Sequence, residues 1–510
     1  MLSKIYSASC FGLDSFSVEI EVDITNGLPQ TAIVGLPDQA VRESRERVKS
    51  ALKNSGFSLP PKKITVNLAP ANVKKEGPSF DLPIALGLLS ASGLLKPDTL
   101  HKVIFAGELA LDGSLRSIKG ALALAQLARK SKFTLVLPYS NSREASLESE
   151  VTILTANNLK EVVSWINGES TLKRLNTHWL SPEKNLETDD STDFSEVKGQ
   201  FHAKRAAEIV ASGEHNLIFI GPPGAGKTMI AKRIPSILPD LSQSEYLEIV
   251  KIHSAAGLCA NGHLLNLRRP FRSPHHTISQ IGMVGGGSFP RPGEISISHH
   301  GVLFLDEFPE FRRDAIEGLR APLEDGCILI SRAKENLVFP AQFLLVCAMN
   351  PCPCGFLTSP QRACQCSMNQ IHNYHRKISG PILDRIDLHV EIPAIQYKDL
   401  TNQNVQESSA DIRKRVNHAR EIQQKRFPAS FNKTNALMSV KDIRKFCVTT
   451  KNGNLLLEQA MKGLQLSARG YYKILKVART ISDMAESEMI REEHIAEAIQ
   501  YRTLDRNWWG

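Results

Sequence analysis

The sequence predicts an α/β fold that ends in a helical segment, and three observations support this prediction. An apolar run at 216–220 leads into a glycine-rich loop and then an amphipathic stretch at 229–237, which is the order strand, turn, helix. A second apolar run, at 302–305, ends in the carboxylates Asp306 and Glu307. After residue 409, apolar side chains recur at the spacing of an amphipathic helix.

The glycine-rich loop has the sequence GPPGAGKT, which matches the phosphate-binding pattern G-x-x-x-x-G-K-[ST]. In this pattern backbone N–H groups surround phosphate oxygens, and the lysine reaches the β- and γ-phosphates. The threonine supplies a hydroxyl ligand for Mg²⁺. The sequence therefore predicts a site for ATP and Mg²⁺ formed by Gly221, Pro222, Pro223, Gly224, Ala225, Gly226, Lys227, Thr228 and Met229.

The two carboxylates that follow the run at 302–305 complete this prediction. Asp306 is expected to hold the Mg²⁺ shell together with Thr228, and Glu307 is expected to activate the attacking water. Both motifs occur in the order and context that nucleotide hydrolysis requires. The sequence therefore predicts an ATPase.

Composition limits the class of protein. Hydrophobic residues make up 42% of the chain and charged residues 23%, as in ordinary globular proteins. No stretch reaches the roughly 18–20 apolar residues of a membrane span, and the N-terminus lacks the pattern of a signal peptide. We therefore expect a cytoplasmic protein with no membrane partner. The formal net charge of +9 favours an anionic partner, although ATP alone could account for part of it.

Four of the nine cysteines lie close together in the sequence. Cys352, Cys354, Cys364 and Cys366 follow the pattern C-x-C-x9-C-x-C, which could surround one tetrahedral Zn²⁺ ion. The alternative is a loop of reduced thiols. Two pairs flanked by Pro351, Pro353 and Gly355 favour the metal.

The chain is predicted to contain four segments. Residues 1–168 form a mixed α/β domain, with strands expected at 17–24, 63–68, 133–138 and 151–154 and helices at 40–55, 81–95 and 157–166. Residues 169–196 are a polar, acidic linker. Residues 197–398 form the ATPase core, with strands expected at 216–220, 302–306, 343–348 and 388–392. Residues 399–510 form a small helical lid.

Three further polar residues are candidates for catalysis. Asn350 follows the strand predicted at 343–348 and is expected to position the attacking water. Arg385 follows a short helix, where it would meet the γ-phosphate bound by a neighbouring subunit. Arg469 begins a helix of the lid and is a candidate second sensor of the phosphates, with Arg479 as its competitor. The alternative for each arginine is a surface salt bridge.

Five long segments carry a resemblance to a known family. They are SFDLPIALGLL (79–89), RPFRSPHHT (269–277), GGGSFPRPGEISISHHGVLFLDE (285–307), NPCPCG (350–355) and LSARGYYKILKVARTISD (466–483). Over essentially its whole length the chain resembles the ComM (YifB) family of magnesium-chelatase-like AAA+ ATPases. The resemblance implies a homohexameric ring that acts on DNA. It further implies branch migration of homologous-recombination intermediates during natural transformation, with recombinase–DNA filaments as possible partners.

The resemblance also implies a Lon-protease-like fold for residues 1–168, but without proteolytic activity. KEGPS (75–79) matches the loop that carries the nucleophilic serine, here Ser79. The position of the lysine base falls on Leu122, and an isobutyl group cannot activate a serine. Lys119 is expected on a different side of the turn. Ser79 is therefore interpreted as a cap of the helix predicted at 81–95.

Two insertions are candidates for DNA contact, because in related ATPases such insertions point into the ring pore. One is a hairpin of strands at 327–330 and 337–339 whose tip carries Arg332 and Lys334. The other lies between the phosphate motifs and includes Arg268, Arg269 and Arg272, followed by the glycine run 285–287. Both insertions could instead be ordinary charged surface turns.

Two other functions compete with DNA translocation. A chelatase motor that inserts a metal into a tetrapyrrole is the main alternative. Such a motor normally needs a metal-binding partner or an integrin-like domain, and none is recognised after the lid. The third is an ATP-dependent protease, against which the leucine at the base position argues.

Overall fold

The computed structural model describes residues 2–96, 100–176, 193–259, 268–287, 290–331, 336–358, 362–394, 406–428, 433–464 and 466–502. They fall into two units. The first contains the described residues up to 176 together with 243–259 and 290–292, and the second contains the rest.

The strands and helices are named in chain order. The strands are β1 Leu2–Phe11, β2 Asp14–Thr25, β3 Gln30–Val34, β4 Lys63–Ala69, β5 Val103–Phe105, β6 Glu108–Leu109, β7 Leu115–Arg116, β8 Thr134–Pro138, β9 Ile153–Ala156, β10 Lys173–Arg174, β11 Leu217–Ile220, β12 Phe271–Arg272, β13 Gly285–Gly286, β14 Arg291–Pro292, β15 Val302–Leu305, β16 Cys327–Ser331, β17 Asn336–Pro340, β18 Leu344–Met349 and β19 Leu388–Glu391. The helices are α1 Gln39–Asn54, α2 Asp81–Ala91, α3 Ala121–Ser131, α4 Ser142–Ala145, α5 Leu159–Ile166, α6 Phe201–Gly213, α7 Lys227–Ile237, α8 Gln243–Ala256, α9 Gln280–Val284, α10 Glu294–Ile297, α11 Arg313–Glu317, α12 Arg320–Asp325, α13 Met368–His375, α14 Gly380–Leu383, α15 Ser409–Arg426, α16 Val440–Phe446, α17 Lys451–Leu464, α18 Ala468–Met484 and α19 Glu492–Gln500.

The first unit is built on an eight-stranded mixed sheet in the order β10-β9-β8-β5-β1-β2-β4-β3. The four strands predicted in this region are present as β2, β4, β8 and β9, and the three predicted helices as α1, α2 and α5. β1 was not predicted, yet it pairs with β2 over ten residues. Small polar residues at its buried positions break the apolar alternation, and Ser7 satisfies its hydroxyl by donating to Phe105 O at 2.8 Å.

Two predictions about this unit are wrong in detail. α2 ends at Ala91 rather than at 95, because Gly93 takes a left-handed backbone with φ of 77°. Ser79 does not cap this helix: it lies in a 3-10 turn, Pro78–Phe80, so the chain is already helical there. The predicted linker also contains β10, which adds an edge strand to β9, and two residues are too few to show a period in sequence.

The helix α8 belongs to the first unit although its sequence lies between the two phosphate motifs. Ser254 accepts a hydrogen bond from Gly120 N at 2.8 Å and donates one to the buried carboxylate of Glu144. Lys251 pairs with Asp14 at 2.8 Å. The segment predicted as a continuous core at 197–398 therefore contributes to both units, and the predicted four-part division stays a prediction.

The second unit is built on a five-stranded parallel sheet in the order β12-β15-β18-β11-β19. β11, β15, β18 and β19 are the four strands predicted for the core. β11 lies between β18 and β19, and its residues are fully buried on both faces, as expected for a parallel sheet covered by helices.

The helices predicted after residue 409 are present as α15 to α19. Their apolar faces join the core of the second unit, where Ile412, Val416, Leu475 and Ile481 pack with residues of the parallel sheet. Within the described part of the chain, no helix has both the length and the apolar character needed to cross a membrane.

Candidate functional site

The phosphate-binding loop follows β11 and leads into α7. Gly226 stands at the N-terminal cap of α7 with φ of 90°, a left-handed conformation that favours glycine. No side chain caps this helix, so its first N–H groups remain available to an anion. The local structure therefore matches the phosphate cradle predicted from the sequence.

Lys227 is buried at the base of the loop. Its Nζ donates to Gly221 O at 2.6 Å, Pro222 O at 2.9 Å and Asn350 Oδ1 at 3.1 Å. These partners are dipoles rather than anions, so burial lowers the pKa of Lys227 to about 8. Phosphate oxygens would supply the negative charge that this cation lacks. The contact also places Asn350 beside the phosphate loop.

Thr228 and Asp306 meet as a magnesium site requires. Thr228 Oγ1 donates to Asp306 Oδ2 at 2.7 Å, across the carboxyl end of the parallel sheet. A hydroxyl and a carboxylate in contact are hard oxygen ligands of the kind Mg²⁺ takes in nucleotide sites. The two residues therefore fit the ion predicted for them.

Glu307 follows directly with its side chain 60% exposed. Its backbone has φ of 53°, which is unusual for a residue other than glycine, and its N–H donates to Asp306 Oδ1 at 2.9 Å. The two adjacent acids thus have different surroundings, which is compatible with the separate roles predicted for them as metal ligand and as general base.

His276 is a candidate functional residue that the sequence interpretation did not assign to the nucleotide site. Its Nδ1 lies 3.3 Å from Glu307 Oε2, and its ring packs on His275 and Phe311. In the sequence, His276 belongs to the segment RPFRSPHHT (269–277). This segment contributes to the family resemblance, but by itself it does not assign a catalytic role to the histidine. His276 holds the carboxylate proposed as general base.

The four cysteines come together after Asn350. Sγ of Cys352 lies 3.3 Å from that of Cys354 and 3.7 Å from that of Cys364, and the Cys354 and Cys364 sulfurs are 3.6 Å apart. All four sulfurs lie within 4.8 Å of one another. Four thiolates at the usual Zn–S distance are separated by about 3.8 Å, so the cluster fits one tetrahedral ion.

This cysteine cluster contacts the phosphate loop. Gly355 has φ of 83°, and a Cβ there would lie 2.6 Å from Pro223 Cδ. The ring of His375 is 3.0 Å from Pro351 O, so α13 supports the same turn. The cluster therefore shapes the loop that contains Asn350 and touches the nucleotide-binding segment.

Arg385 is held by neighbouring residues of the same chain in this structure. Its guanidinium pairs with Glu324 and donates to Pro381 O at 2.6 Å, while its Nε is buried without a hydrogen-bond partner. The side chain is 14% exposed. Its neighbour Asp387 pairs with Lys473 of α18 at 2.8 Å, which connects this segment to the helix that carries Arg469.

The two arginines proposed as alternatives for the second sensor differ in environment. Arg479 is buried and donates to Asp483, Ser482 and the carbonyls of Ser487 and Glu488. Its donors are used in holding α18 to the following turn. Arg469 is exposed at the start of α18. Arg479 is therefore held in place, while the Arg469 side chain is exposed, and the role of Arg469 as second sensor stays a prediction.

The proposed DNA contacts are only partly described. β16 and β17 form the predicted hairpin, paired from Cys327–Pro340 to Ser331–Asn336, but Arg332 and Lys334 at its tip lie outside the described residues. In the other insertion Arg268 is exposed, whereas Arg269 donates to Pro239 O at 2.7 Å and His300 O at 2.8 Å. Arg272 forms a two-pronged pair with Glu294 at 2.6 and 2.8 Å. The guanidinium groups of Arg269 and Arg272 thus bind neighbouring carbonyl and carboxylate groups and stabilise the local fold.

The residues that were compared with the serine and lysine of Lon proteases all lie in the first unit. Leu122, at the position of the lysine base, is fully buried. Ser79 and Lys119 line the same cavity, whereas Leu122 is not among its lining residues. The expectation that Lys119 lies on a different side of the turn from the base position stays a prediction.

Comparisons with known proteins agree with this architecture. Family models described as magnesium chelatase, subunit ChlI, match residues 193–400, 20–141 and, as its C-terminal part, 406–502. The chain is 43% identical over 506 residues to competence protein ComM of Haemophilus influenzae, covering 99% of this chain and 98% of that protein.

Two further relatives extend the comparison. YifB of Escherichia coli is also 43% identical over 506 residues, with the same coverage of both chains. Lon protease 2 of Bacillus subtilis is 28% identical over 156 residues, which are 29% of this chain and 28% of the protease. Because the similarity to ComM and YifB spans nearly the full length of all three proteins, this chain belongs to the ComM/YifB family of magnesium-chelatase-like AAA+ proteins.

Proposed function

We propose that the protein is an ATPase that uses hydrolysis to move along DNA and to drive branch migration of recombination intermediates. The proposal rests on three side-chain contacts at one site. They join Lys227 to Asn350, Thr228 to Asp306, and Glu307 to His276. Membership in an AAA+ family suggests ATPase activity. The name of the Haemophilus relative, a competence protein, supports a role in natural transformation and hence DNA as partner.

Each residue of the site has a role in this proposal. Lys227 and the loop N–H groups bind the β- and γ-phosphates, and Asn350 with Glu307 holds and deprotonates the attacking water. Mg²⁺ bound by Thr228 and Asp306 would neutralise charge on the phosphate oxygens. With ATP bound, these residues would direct the water at the γ-phosphate.

We also propose a homohexameric ring, since Arg385 then completes the site of a neighbouring subunit. For that role it must leave Glu324 and turn outward, which couples assembly to hydrolysis. The helices α15 to α19 would act as a lid, with Arg469 reporting the nucleotide state. Recombinase–DNA filaments are the proposed substrates of the assembled ring.

The cysteine cluster is proposed to hold Zn²⁺. The sulfur–sulfur distances fit a structural zinc ion, and the contact with Pro223 indicates that this ion would stabilise the phosphate loop.

The Lon-like segment is proposed to lack proteolytic activity, because Leu122 occupies the position of the base. Purified protein that degrades unfolded polypeptides in an ATP-dependent manner would refute that statement.

The function is tested by ATP hydrolysis with single-stranded or branched DNA over a range of salt. We expect DNA to accelerate hydrolysis and the acceleration to fade with salt. Replacing Arg332 and Lys334 together by Ala should abolish it and flatten the log–log salt slope of DNA binding by about one unit per lost contact. The control, Lys62→Ala with Lys130→Ala, removes the same charge from exposed positions of the first unit.

A chelatase motor is the second candidate, and the description of all three matching family models favours it. It predicts hydrolysis that no DNA structure accelerates and that the hairpin variant does not alter. Equal hydrolysis with and without DNA at low salt would therefore favour the chelatase function over translocation.

A further inference from the structure

A cavity of about 370 Å³ lies in the first unit, and none of the predicted nucleotide-site residues lines it. Its size falls within the range of small-molecule sites. Its wall combines apolar side chains, such as Leu13, Ala40 and Leu124, with a few polar groups. α8 contributes Lys251, Ser254 and Ala255, so the wall is complete only when this helix is docked.

The wall has three cations and three acids, and the cations differ in their partners. Arg291 pairs with Glu76 at 3.2 Å, and Lys251 pairs with Asp14 at 2.8 Å. Asp38 accepts hydrogen bonds from Val41 N and Gly77 N. Among the described residues, Lys119 has no carboxylate within ion-pair distance.

The surroundings of Lys119 suit an anion. Burial, together with the nearby Arg291, lowers the pKa of Lys119, so an incoming negative charge would be favoured there. The hydroxyl of Ser79 lines the same cavity and donates to no group in the described part of the chain. The wall acids Glu76 and Glu108 would repel a second negative charge, which favours a monoanion over a phosphate dianion.

We propose that this cavity binds an organic carboxylate. Lys119 would pair with the carboxylate, the Ser79 hydroxyl would donate a hydrogen bond to it, and the apolar wall would enclose its hydrocarbon part. The carboxylate could come from a small free acid or from the C-terminus of a peptide. This inference goes beyond the proposed motor function and does not depend on it.

Calorimetric titration of the full chain without nucleotide or DNA tests the proposal. The probes are butyrate and acetyl-Ala-Ala-Ala with a free C-terminus, each paired with its neutral amide. We expect each acid to bind at least about tenfold more tightly than its amide, because only the acid forms the charged pair. The stronger of the two acids identifies the source as a free acid or a peptide end.

Lys119→Met keeps the alkyl stem and removes the charge, and it should lower the affinity for the acids by about tenfold. Ser79→Ala should lower it by a smaller factor. Lys130→Met, an exposed lysine on α3 outside the cavity, is the matched control and should bind as the parent does. The proposal is overturned if no acid binds, if the amides or inorganic phosphate bind equally well, or if Lys119→Met has no effect. Because the titration contains neither nucleotide nor DNA, a failure of the proposed motor function would not change the expected binding of the acids.

Discussion

At the residue scale, the two adjacent acids of the candidate site differ in what holds them. Asp306 is held by Thr228, while Glu307 is exposed and held by His276. The sequence motif predicted the two acids because their roles depend on adjacent residues at a strand end. It could not predict His276, since that contact joins residues thirty-one positions apart through the fold.

Glu307→Gln should retain ATP binding but lower the hydrolysis rate by at least about 100-fold, because an amide cannot accept the proton of the attacking water. Nucleotide binding by fluorescence and phosphate release measured on one preparation would show this. The control is Glu310→Gln, which removes only an exposed pair with Lys377. Hydrolysis at the parental rate in Glu307→Gln would remove Glu307 as the base.

His276→Phe keeps the ring contacts with His275 and Phe311 but loses the nitrogen beside Glu307. We expect kcat to fall by about tenfold with KM for ATP nearly unchanged, since the ring orients the base rather than the nucleotide. Steady-state kinetics measure both. An increase in KM alone would instead place His276 in nucleotide binding.

At the scale of elements, the four core strands were predictable because they are short, largely apolar runs, and the five C-terminal helices because their apolar residues recur at helical spacing. β1 was missed because serines occupy several of its buried positions. The placement of α8 was missed for a different reason: its docking depends on Ser254 meeting Gly120 and Glu144, which are distant in sequence. Periodicity carries no information about which sheet a helix covers.

The loop of four cysteines allows an element-scale prediction. Cys364→Ser with Cys366→Ser should abolish zinc binding, which we expect at about one ion per chain in the parent. Hydrolysis should fall by about tenfold or more, because the loop supports Asn350 and touches Pro223 through Gly355. Elemental analysis and ATPase assays check both effects.

Cys327→Ser is the control for this experiment, since Cys327 is a half-buried thiol in β16 outside the cluster. It should keep both zinc and activity. Parent protein that is fully active and free of metal, prepared without chelator, would refute the zinc assignment.

At the scale of the whole molecule, variants of Arg385 test whether neighbouring subunits share an active site. Arg385→Ala and Glu307→Gln should each be inactive alone, but a mixture should recover activity. In a ring with random order, about a quarter of interfaces combine an intact Glu307 with an intact Arg385 from the neighbour. Phosphate release after mixing measures this, with Arg376→Ala, an exposed arginine nearby, as the active control. A mixture that stays inactive would place Arg385 outside the neighbouring site.

The stability of the second unit should depend on pH through buried histidines. Burial lowers the pKa of His215 and His494 below the ordinary 6.5. Since the unfolded chain takes up these protons more readily, the free energy of unfolding is greatest above about pH 6.5 and falls as pH decreases below it. Thermal unfolding of His215→Gln should show a weaker decrease. The exposed His372→Gln should keep the parental pH dependence.

The assignment of α8 to the first unit has a consequence for how the protein can change over evolutionary time. The chain leaves the first unit, returns to it at 243–259 and again at 290–292, and then leaves once more. A gene fragment that ends after residue 176 would encode a sheet without the helix that satisfies Gly120 and Glu144. A single crossover after residue 176 would therefore divide the first unit instead of separating two intact units. The near full-length similarity to ComM and YifB is consistent with both parts of the first unit being kept in one chain.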